Sequence, residues 1–249
     1  MKCLITGASS GLGKDFALNL SKMGYDLILV ARNKEKLEKV KNNCSTNVVI
    51  EALDLSLPEN CKKLYNKHRD IDLLINNAGF GLFGEFNNTD LNKELEMIDL
   101  NIKAVHILTK LYLKDMVKKD YGRILNVASS AAYLPGPLMS TYYSTKSYVY
   151  QLTTAIYQEL HQNKSNVKIS VLCPGPVNTN FNKVANVKFS IKSLSSDYVV
   201  NYTLKKMFRN KLVIIPGFIT KLGVFGTRLV SLKTLLKIDY KIQKSKNGK

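Results

Sequence analysis

The sequence predicts a doubly wound α/β domain built around a parallel sheet of seven strands. Seven short aliphatic runs, each of four to eight residues, alternate along the chain with longer segments that have the apolar spacing of helices. The runs are apolar throughout, as strands are when helices cover both faces of a parallel sheet. Because no repeat or low-complexity linker interrupts this alternation before Pro216, residues 1–215 are predicted to form one domain. Residues 216–249 are predicted to form a C-terminal amphipathic helical extension.

Each predicted element follows from its own residues. The strands are the aliphatic runs at residues 3–6, 25–31, 47–53, 71–77, 122–129, 167–173 and 211–215. The helices are predicted at residues 12–23, 33–43, 58–69, 91–118, 140–162 and 195–208. Glycines begin the first helix, and Asn33 is a suitable N-cap for the second. Alternation of strands and helices favours right-handed crossovers between parallel strands.

The positive charge is concentrated in the last fifth of the chain. The 249 residues include 37 Lys+Arg and 19 Asp+Glu, a formal net charge of +18. Residues 203–249 hold 12 basic residues and one acid, a net charge of +11, so the other 202 residues carry only +7. No zinc-finger spacing, RNA-binding aromatic motif or helix-turn-helix pattern accompanies the charge, so nucleic acid is not predicted as a partner. A membrane surface or an anionic substrate explains the basic segment equally well.

Cysteine usage and hydropathy favour a cytoplasmic protein. The four cysteines form no CxxC pair, which predicts reduced thiols and no metal site. The N-terminus enters strand-like residues and glycines directly, which does not fit a cleaved signal sequence. No uncharged apolar run reaches the roughly 18–20 residues that a membrane-spanning helix needs. Contact with a membrane is therefore expected, if at all, only at its surface and through the basic C-terminal helix.

A glycine cluster follows the first predicted strand. Residues 6–13, TGASSGLG, have the spacing GxxxGxG and lead directly into a predicted helix. Glycines at this junction permit a tight turn and a close approach of the backbone to a pyrophosphate, and the helix N-terminus offers unpaired N–H groups to the anion. An ordinary glycine turn is the alternative. The position between a first strand and a helix favours dinucleotide binding.

The end of the second strand indicates which dinucleotide is bound. An acid there suits the ribose 2′-hydroxyl of NAD, whereas an arginine suits the 2′-phosphate of NADP. The sequence has Arg32 at this point and no acid before Glu35, and the guanidinium matches phosphate geometry. NADP(H) is therefore predicted in preference to NAD(H). The alternative is that Arg32 is an exposed residue that only begins a helix.

The motif YYSTK at residues 142–146 contains a candidate catalytic pair. Tyr142 and Lys146 lie four residues apart, on one face of a predicted helix. An ammonium near a phenol lowers its pKa, so this pair has the chemistry of a tuned acid or base. Tyr202/Lys206 and Tyr240/Lys244 have the same spacing but lack a polar partner upstream. Ser129 ends a predicted strand and should face the same crevice, because ligands of open α/β sheets bind at the carboxyl ends of strands.

These motifs together resemble the short-chain dehydrogenase/reductase family. The matches are TGASSGLG at 6–13, Asp54-Leu55, NNAG at 76–79, Asn101, Ser129, YYSTK at 142–146 and PGPVNT at 174–179, spread over nearly all of residues 1–215. The resemblance implies a Rossmann-type fold in which Tyr142 protonates a carbonyl oxygen and Ser129 hydrogen-bonds that oxygen. It implies that Lys146 lowers the pKa of Tyr142 and binds ribose, and that Asn101 holds a water in the proton relay.

The same resemblance implies a set of cofactor contacts. Gly7, Gly11 and Gly13 would line the pyrophosphate, Asp54 the adenine, Asn77 the adenine ribose, and Thr179 with the preceding PGPV the nicotinamide amide. The other members of the expected cofactor site are Ser9, Ser10, Leu12, Arg32, Leu55, Ala78, Gly79, Tyr142, Lys146, Pro174, Gly175 and Val177. For Asn101 and Asp54, a helix-capping or turn-forming role is the alternative.

The residues expected around the substrate are apolar. They are Phe80, Leu82, Phe83, Tyr133, Leu134, Pro137, Leu138, Met139, Phe181 and Val184. An apolar wall with few polar groups suits a carbonyl on a hydrophobic body, and packing against a partner subunit is the alternative. Beyond Pro216, apolar residues at helical spacing are interleaved with lysines and an arginine. This pattern fits either a helix in a membrane interface or a helix packed on the substrate cleft.

The predicted function is NADPH-dependent reduction of a carbonyl on a hydrophobic substrate, or the reverse oxidation of an alcohol. Reduction of a 3-oxoacyl thioester is an alternative, since the basic C-terminal segment suits the phosphates of a carrier or of coenzyme A. A nucleotide-binding sensor without catalysis is the alternative from another class, because fold does not fix function. The resemblance also suggests a homodimer or homotetramer formed through the helices at 91–118 and 140–162.

Overall fold

The computed structural model describes residues 1–179 and 193–245. The strands are β1 Lys2–Thr6, β2 Asp26–Ala31, β3 Val48–Ala52, β4 Leu73–Asn76, β5 Arg123–Val127, β6 Lys168–Leu172, β7 Val177–Asn178, β8 Leu194–Ser195 and β9 Val213–Ile214. The helices are α1 Gly11–Lys22, α2 Lys34–Lys41, α3 Pro58–Lys67, α4 Leu91–Ile98, α5 Val105–Lys119, α6 Ser140–Gln162, α7 Ser196–Met207, α8 Phe218–Gly226 and α9 Leu232–Ser245. Phe181 and Val184 lie outside the described residues.

The main sheet confirms the predicted fold class. Its seven strands are ordered β3-β2-β1-β4-β5-β6-β9, and every neighbouring pair is parallel. The chain order reverses between β1 and β4, so a crevice forms there at the carboxyl ends of the strands. Strands β7 and β8 pair separately in a short parallel ribbon that the sequence did not predict.

Apolar clusters cover both faces of the sheet. One packs α1 and α7 against the sheet, with Phe16, Leu20 and Met207 buried in it. The other packs α3 and α5 against the opposite face. The fully apolar strand sequences follow from this double coverage. No helix in the described ranges is both long enough and apolar enough to cross a bilayer.

The predicted helix at 91–118 is interrupted. Helices α4 and α5 are joined by a π-helical turn at Asp99–Ala104, which contains Asn101. The amide of Asn101 bonds to the backbone of Phe80 in the loop after β4 instead of facing solvent. Such π turns commonly occur at functional sites, and this one directs a polar side chain from a helix to the loop after β4.

The segment beyond β9 folds as two helices. Helix α8 ends at Gly226 and α9 begins at Leu232, where the sequence pattern alone suggested a single amphipathic run. Both helices contribute residues to the rim of the crevice. Gln243 of α9 donates a hydrogen bond from Nε2 to the hydroxyl of Tyr143 on α6. This bond fixes the last described helix to the helix that carries YYSTK.

Candidate active site

One cavity of about 780 Å³ occupies the crevice. It is lined by most of the residues singled out in the sequence: Gly7, Ser9, Ser10, Gly11, Leu12, Arg32, Asp54, Leu55, Asn77, Ala78, Gly79, Ser129, Tyr142, Lys146, Pro174, Gly175, Val177 and Thr179. Gly13 and Asn101 do not line it; they lie behind the lining residues. The structure therefore brings the glycine turn and the Ser–Tyr–Lys set into one continuous space.

The glycine turn has the geometry of a diphosphate cradle. Gly7 and Gly11 have φ values of +66° and +54°, in the left-handed region that favours glycine. A β-carbon on Gly13 would lie 2.2 Å from the carbonyl oxygen of Gly7, so only glycine lets α1 approach β1 this closely. Asn77 donates from Nδ2 to the carbonyl oxygens of Thr6 and Gly7, at 3.0 and 3.3 Å, and so holds the turn.

The N-terminus of α1 is also suited to an anion. Its N-cap, Ser10, makes no side-chain hydrogen bond to the helix, and its first turn contains no acidic residue. The N–H groups of the first turn are thus left for a ligand that accepts hydrogen bonds. Together with the glycine turn, these groups fit a dinucleotide diphosphate.

The far end of the cavity combines positive and negative groups. Arg32, Asn33 and Lys36 line it at the end of β2 and the start of α2. The Nη1 atom of Arg32 lies 2.8 Å from Oε1 of Glu96 and 3.9 Å from Oδ2 of Asp54. The guanidinium is therefore shared between two carboxylates at this end of the cavity.

Asp54 forms a turn, which the sequence analysis gave as the alternative to adenine binding. Its Oδ1 accepts hydrogen bonds from the backbone N–H and the hydroxyl of Ser56, at 3.0 and 2.7 Å. The second carboxylate oxygen faces Arg32. Because Asp54 also lines the cavity, the turn and a contact with a bound nucleotide are compatible.

Ser129 and Tyr142 form a hydrogen-bonded pair in the lining of the cavity. Their side chains are hydrogen-bonded to each other, which lowers the pKa of Tyr142, but burial of the phenol has the larger effect and raises this pKa to about 12. Ser129 follows β5 and accepts a hydrogen bond from the backbone N–H of Ala131 at 3.1 Å. Tyr142 lies in the first turn of α6. Two hydroxyl groups are thus held side by side where a carbonyl oxygen could accept from both.

Lys146 lies one turn further along α6. Its Nζ donates to the carbonyl oxygen of Val127 at 3.0 Å and is 5.8 Å from the centroid of the Tyr142 ring. Burial lowers its pKa from 10.5 to about 8. The expectation that Lys146 lowers the pKa of Tyr142 is not met in this structure, because burial dominates the phenol and the ammonium bonds to a backbone carbonyl.

Asn101 supports the site from the π turn. Its Oδ1 accepts from the backbone N–H of Phe80 at 3.1 Å, and its Nδ2 donates to the carbonyl of Phe80 at 2.9 Å and to Oγ1 of Thr145 at 3.1 Å. A β-carbon on Gly79 would lie 2.8 Å from Oδ1 of Asn101 and 3.3 Å from Nζ of Lys146. Asn101 is therefore not a helix cap, and its side chain ties the loop after β4 to α6 beside Lys146.

The substrate end differs in part from the predicted wall. Phe80, Leu134 and Met139 line the cavity, whereas Leu82, Phe83, Tyr133, Pro137 and Leu138 are not among its lining residues. Leu82 and Phe83 pack in the apolar cluster around Met97. Tyr133 packs against Tyr150, with 4.8 Å between ring centroids, and its hydroxyl bonds to Cys173. Leu82, Phe83 and Tyr133 therefore pack behind the cavity lining and do not face the cavity.

The C-terminal helices cover one side of the cavity, and their lining residues are called the roof residues below. The roof residues are Ile219, Thr220, Gly223, Val224 and Thr227 from α8 and its C-cap, and Leu235, Ile238, Asp239 and Ile242 from α9. Asp239 is only 5% exposed and is the one acid in residues 218–245. Packing of this segment on the cleft was one of the two sequence interpretations, since its apolar residues have helical spacing. Nothing in that pattern singled out Asp239.

Comparison with known proteins gives a family match over most of the chain. A model of the short chain dehydrogenase family matches residues 2–188. A 3-oxoacyl-(acyl-carrier-protein) reductase of Rickettsia prowazekii is 32% identical over 188 residues, which cover 74% of this chain and 76% of the relative. A very-long-chain 3-oxoacyl-CoA reductase of Pyrenophora tritici-repentis is 33% identical over 169 residues, covering 63% of this chain and 50% of the relative.

A solved structure extends the similarity to most of the chain. A short-chain dehydrogenase from Sphingobium yanoikuyae in complex with NADPH has a TM-score of 0.82 and 28% identity, and the match covers 92% of this chain and 93% of that one. A parallel sheet with a glycine turn and a Ser–Tyr–Lys set in one cavity defines a Rossmann-type oxidoreductase. The chain belongs to the short-chain dehydrogenase/reductase family.

Proposed function

We propose that the chain is an NADPH-dependent reductase of a carbonyl group on a hydrophobic substrate. The observation that carries this proposal is the Ser129–Tyr142 hydrogen bond, made beside Lys146 within the cavity that begins at the glycine turn. The nicotinamide cofactor would supply a hydride to the carbonyl carbon. The residues of the chain would then bind the carbonyl oxygen and deliver the proton.

Tyr142 is suited to be the proton donor in the reducing direction. With its pKa raised to about 12, the phenol carries its proton at neutral pH and is able to give it to an oxygen that becomes negative. Ser129 would donate a second hydrogen bond to the same oxygen, because such preorganised donors stabilise a developing negative charge. Lys146, whose pKa is about 8, is mostly protonated near neutral pH and would replace the proton that the phenol loses.

The preference for NADPH over NADH rests on the far end of the cavity. Arg32 and Lys36 both line it, and no acid occupies the end of β2. A guanidinium and an ammonium there suit a 2′-phosphate, and the relative from Sphingobium yanoikuyae is in complex with NADPH. To bind the phosphate, Arg32 would have to leave Asp54 and Glu96. The preference for NADPH over NADH should therefore be smaller than it would be with an unpaired arginine.

A 3-oxoacyl thioester is the substrate class that the relatives favour. Two of them are named as 3-oxoacyl reductases, one for a carrier-protein thioester and one for a very-long-chain coenzyme A thioester. The roof residues Ile219, Val224 and Leu235 suit an acyl chain as well as the body of a simple ketone. Thioesters and simple ketones therefore belong in the same test.

The experiment is a turnover assay with both cofactors. NADPH and NADH oxidation would be followed against ketones, aldehydes and 3-oxoacyl thioesters, for the natural chain and for Tyr142→Phe. We expect faster turnover with NADPH and a loss of at least about 100-fold in kcat in the variant, the usual contribution of a general acid, with NADPH binding nearly unchanged. Tyr240→Phe is the matched control, since Tyr240 has the same spacing to Lys244 but is exposed and does not line the cavity, and its kcat should stay close to that of the natural chain.

Two outcomes would contradict the proposal. Equal turnover by Tyr142→Phe would remove Tyr142 from the chemical step. Tight NADPH binding without turnover of any carbonyl would favour the nucleotide-binding sensor. The expected homodimer or homotetramer stays a prediction, which the molar mass in solution tests.

A further inference from the structure

The two C-terminal helices expose an unusual share of apolar surface. Ten of the twenty large apolar side chains that are exposed among the described residues lie between Phe218 and Ile242. None of the residues of α8 is buried. Single exposed apolar residues are ordinary on protein surfaces, but a contiguous group marks a site of interaction.

Three of the exposed residues share one face of α8. Phe218, Leu222 and Phe225 are four and three residues apart, so they lie on the same face of α8. Phe218 and Ile219 are 73% and 77% exposed. The apolar C-terminal face comprises Phe218, Ile219, Leu222, Phe225, Leu229, Val230, Leu232, Ile238 and Ile242.

Positive charge accompanies this face without exposed negative charge. Residues 218–245 contain six lysines or arginines, all of them exposed, and a single acid, Asp239, which is buried against the cavity. An acidic side chain would oppose docking on an anionic surface, and in this described segment none is exposed. A large apolar face flanked by cations matches the interface of an anionic bilayer, where apolar side chains enter the acyl boundary and cations meet the headgroups.

The apolar face is continuous with the roof of the cavity. Ile219, Ile238 and Ile242 belong to the face and also line the cavity. We propose that the apolar C-terminal face docks on the surface of an anionic lipid bilayer, with the roof of the cavity next to the lipid. The docking does not depend on which reaction the site performs.

The test uses the full chain and phospholipid vesicles, with flotation as the readout. Vesicles of phosphatidylcholine alone would be compared with vesicles that also contain phosphatidylglycerol, at low and at high salt. The apolar variant is Phe218→Ser with Leu222→Ser and Phe225→Ser, which leaves the lining of the cavity intact. The charge variant is Arg228→Gln with Lys233→Gln and Lys237→Gln.

Matched controls are available on other elements. Phe86→Ser removes an equally exposed aromatic residue from the loop before α4, and a triple variant with Lys41, Lys62 and Lys63 changed to Gln removes the same charge from α2 and α3. We expect the natural chain and both controls to float with anionic vesicles at low salt. The apolar variant should lose at least tenfold in binding, and the charge variant should lose its preference for anionic vesicles.

Several results would overturn the docking. They are a natural chain that stays soluble with both vesicle types, and an apolar variant that floats as well as the natural chain. If the natural chain stays soluble, and light scattering shows that it self-associates while the apolar variant is monomeric, the face belongs to a second copy and not to a membrane. Thermal unfolding would verify that each variant is folded. A chain that floats but reduces no carbonyl would keep the docking and contradict only the proposed function.

Discussion

Glu96 on α4 accepts a hydrogen bond from Arg32 at the end of β2, with 2.8 Å between Oε1 and Nη1. The contact joins residues that are 64 positions apart in the chain. Arg32 is also the residue that we propose for the 2′-phosphate of NADPH. The carboxylate of Glu96 and the phosphate would therefore compete for one guanidinium.

The first prediction concerns this competition. Glu96→Gln should tighten NADPH binding by up to about fivefold, because an exposed ion pair contributes at most about 1 kcal/mol. NADH binding should not change, since NADH has no 2′-phosphate. Titration of the two cofactors into the variant measures the effect, with Glu159→Gln on α6 as the control. An equal change for NADPH and NADH would show that Glu96 does not act through the phosphate site.

A second prediction concerns pH and the buried ammonium. Burial lowers the pKa of Lys146 from 10.5 to about 8, so the unfolded chain binds more protons than the folded chain between these two values. Stability rises with pH wherever the unfolded state binds more protons. Below pH 8, the buried charge of Lys146 therefore lowers the free energy of unfolding by its full amount. This loss becomes smaller as the pH rises toward 10.5.

The measurement compares the natural chain with Lys146→Met. The free energy of unfolding of the natural chain, relative to the variant, should increase between pH 8 and pH 10, by an amount that approaches the order of 3 kcal/mol at full relief. Urea unfolding at intervals over this range provides the values. A difference that does not depend on pH would mean that Lys146 titrates at its ordinary pKa.

Asn101 carries the third prediction. Asn101→Ala removes the hydrogen bonds to Phe80 and Thr145, so the loop after β4 should shift beside Lys146. We expect kcat to fall about tenfold or more, as occurs when positioning is lost, while KM for NADPH changes less. Asn101→Asp is the informative comparison, because a carboxylate accepts from the Phe80 N–H but cannot donate to its carbonyl. If Asn101→Ala keeps the kcat of the natural chain, Asn101 does not position the loop for catalysis.

The fourth prediction concerns a buried polar network behind the cavity. Asn126 on β5 accepts from Nδ2 of Asn76 at 2.9 Å and donates to Oγ1 of Thr153 at 3.0 Å. Asn126→Ala would take one buried hydrogen bond from Asn76 and one from Thr153, which keep their bonds to Thr109 and Val149. A buried polar group that loses a partner costs about 1–3 kcal/mol. We expect a loss of about 2–4 kcal/mol in the free energy of unfolding. The exposed Asn47→Ala serves as the control, and equal stability of the two variants would refute the role of the network.

The sheet was predictable because its physical cause is local. Strands such as β1 and β6 are covered on both faces, so their apolar runs appear directly in the sequence. The last strand was predicted at 211–215 and is confined to Val213–Ile214, since strand ends depend on pairing with a neighbour. The sequence was sufficient to predict the fold class and the glycine turn. It was also sufficient to predict that Ser129, Tyr142 and Lys146 lie in one crevice.

What the sequence could not reveal depends on contacts between distant residues. The π turn forms where Asn101 bonds to the backbone of Phe80, 21 residues away, and apolar periodicity does not register such a bond. The pairing of Arg32 with Glu96 cannot be predicted from the sequence, because the two residues are 64 positions apart. The direction of the pKa shift of Tyr142 was missed for a similar reason, because it depends on how completely neighbouring elements exclude water from the phenol.

The roof of the cavity has a consequence for how this protein could diversify. The roof residues on α8 and α9 lie beyond residue 188, where the match to the family model ends, whereas Ser129, Tyr142 and Lys146 lie within it. Substitutions in the last thirty or so residues could therefore retune which molecules are accepted without disturbing the proton-transfer groups. Exchange of this segment between homologues would be a direct way to transplant selectivity.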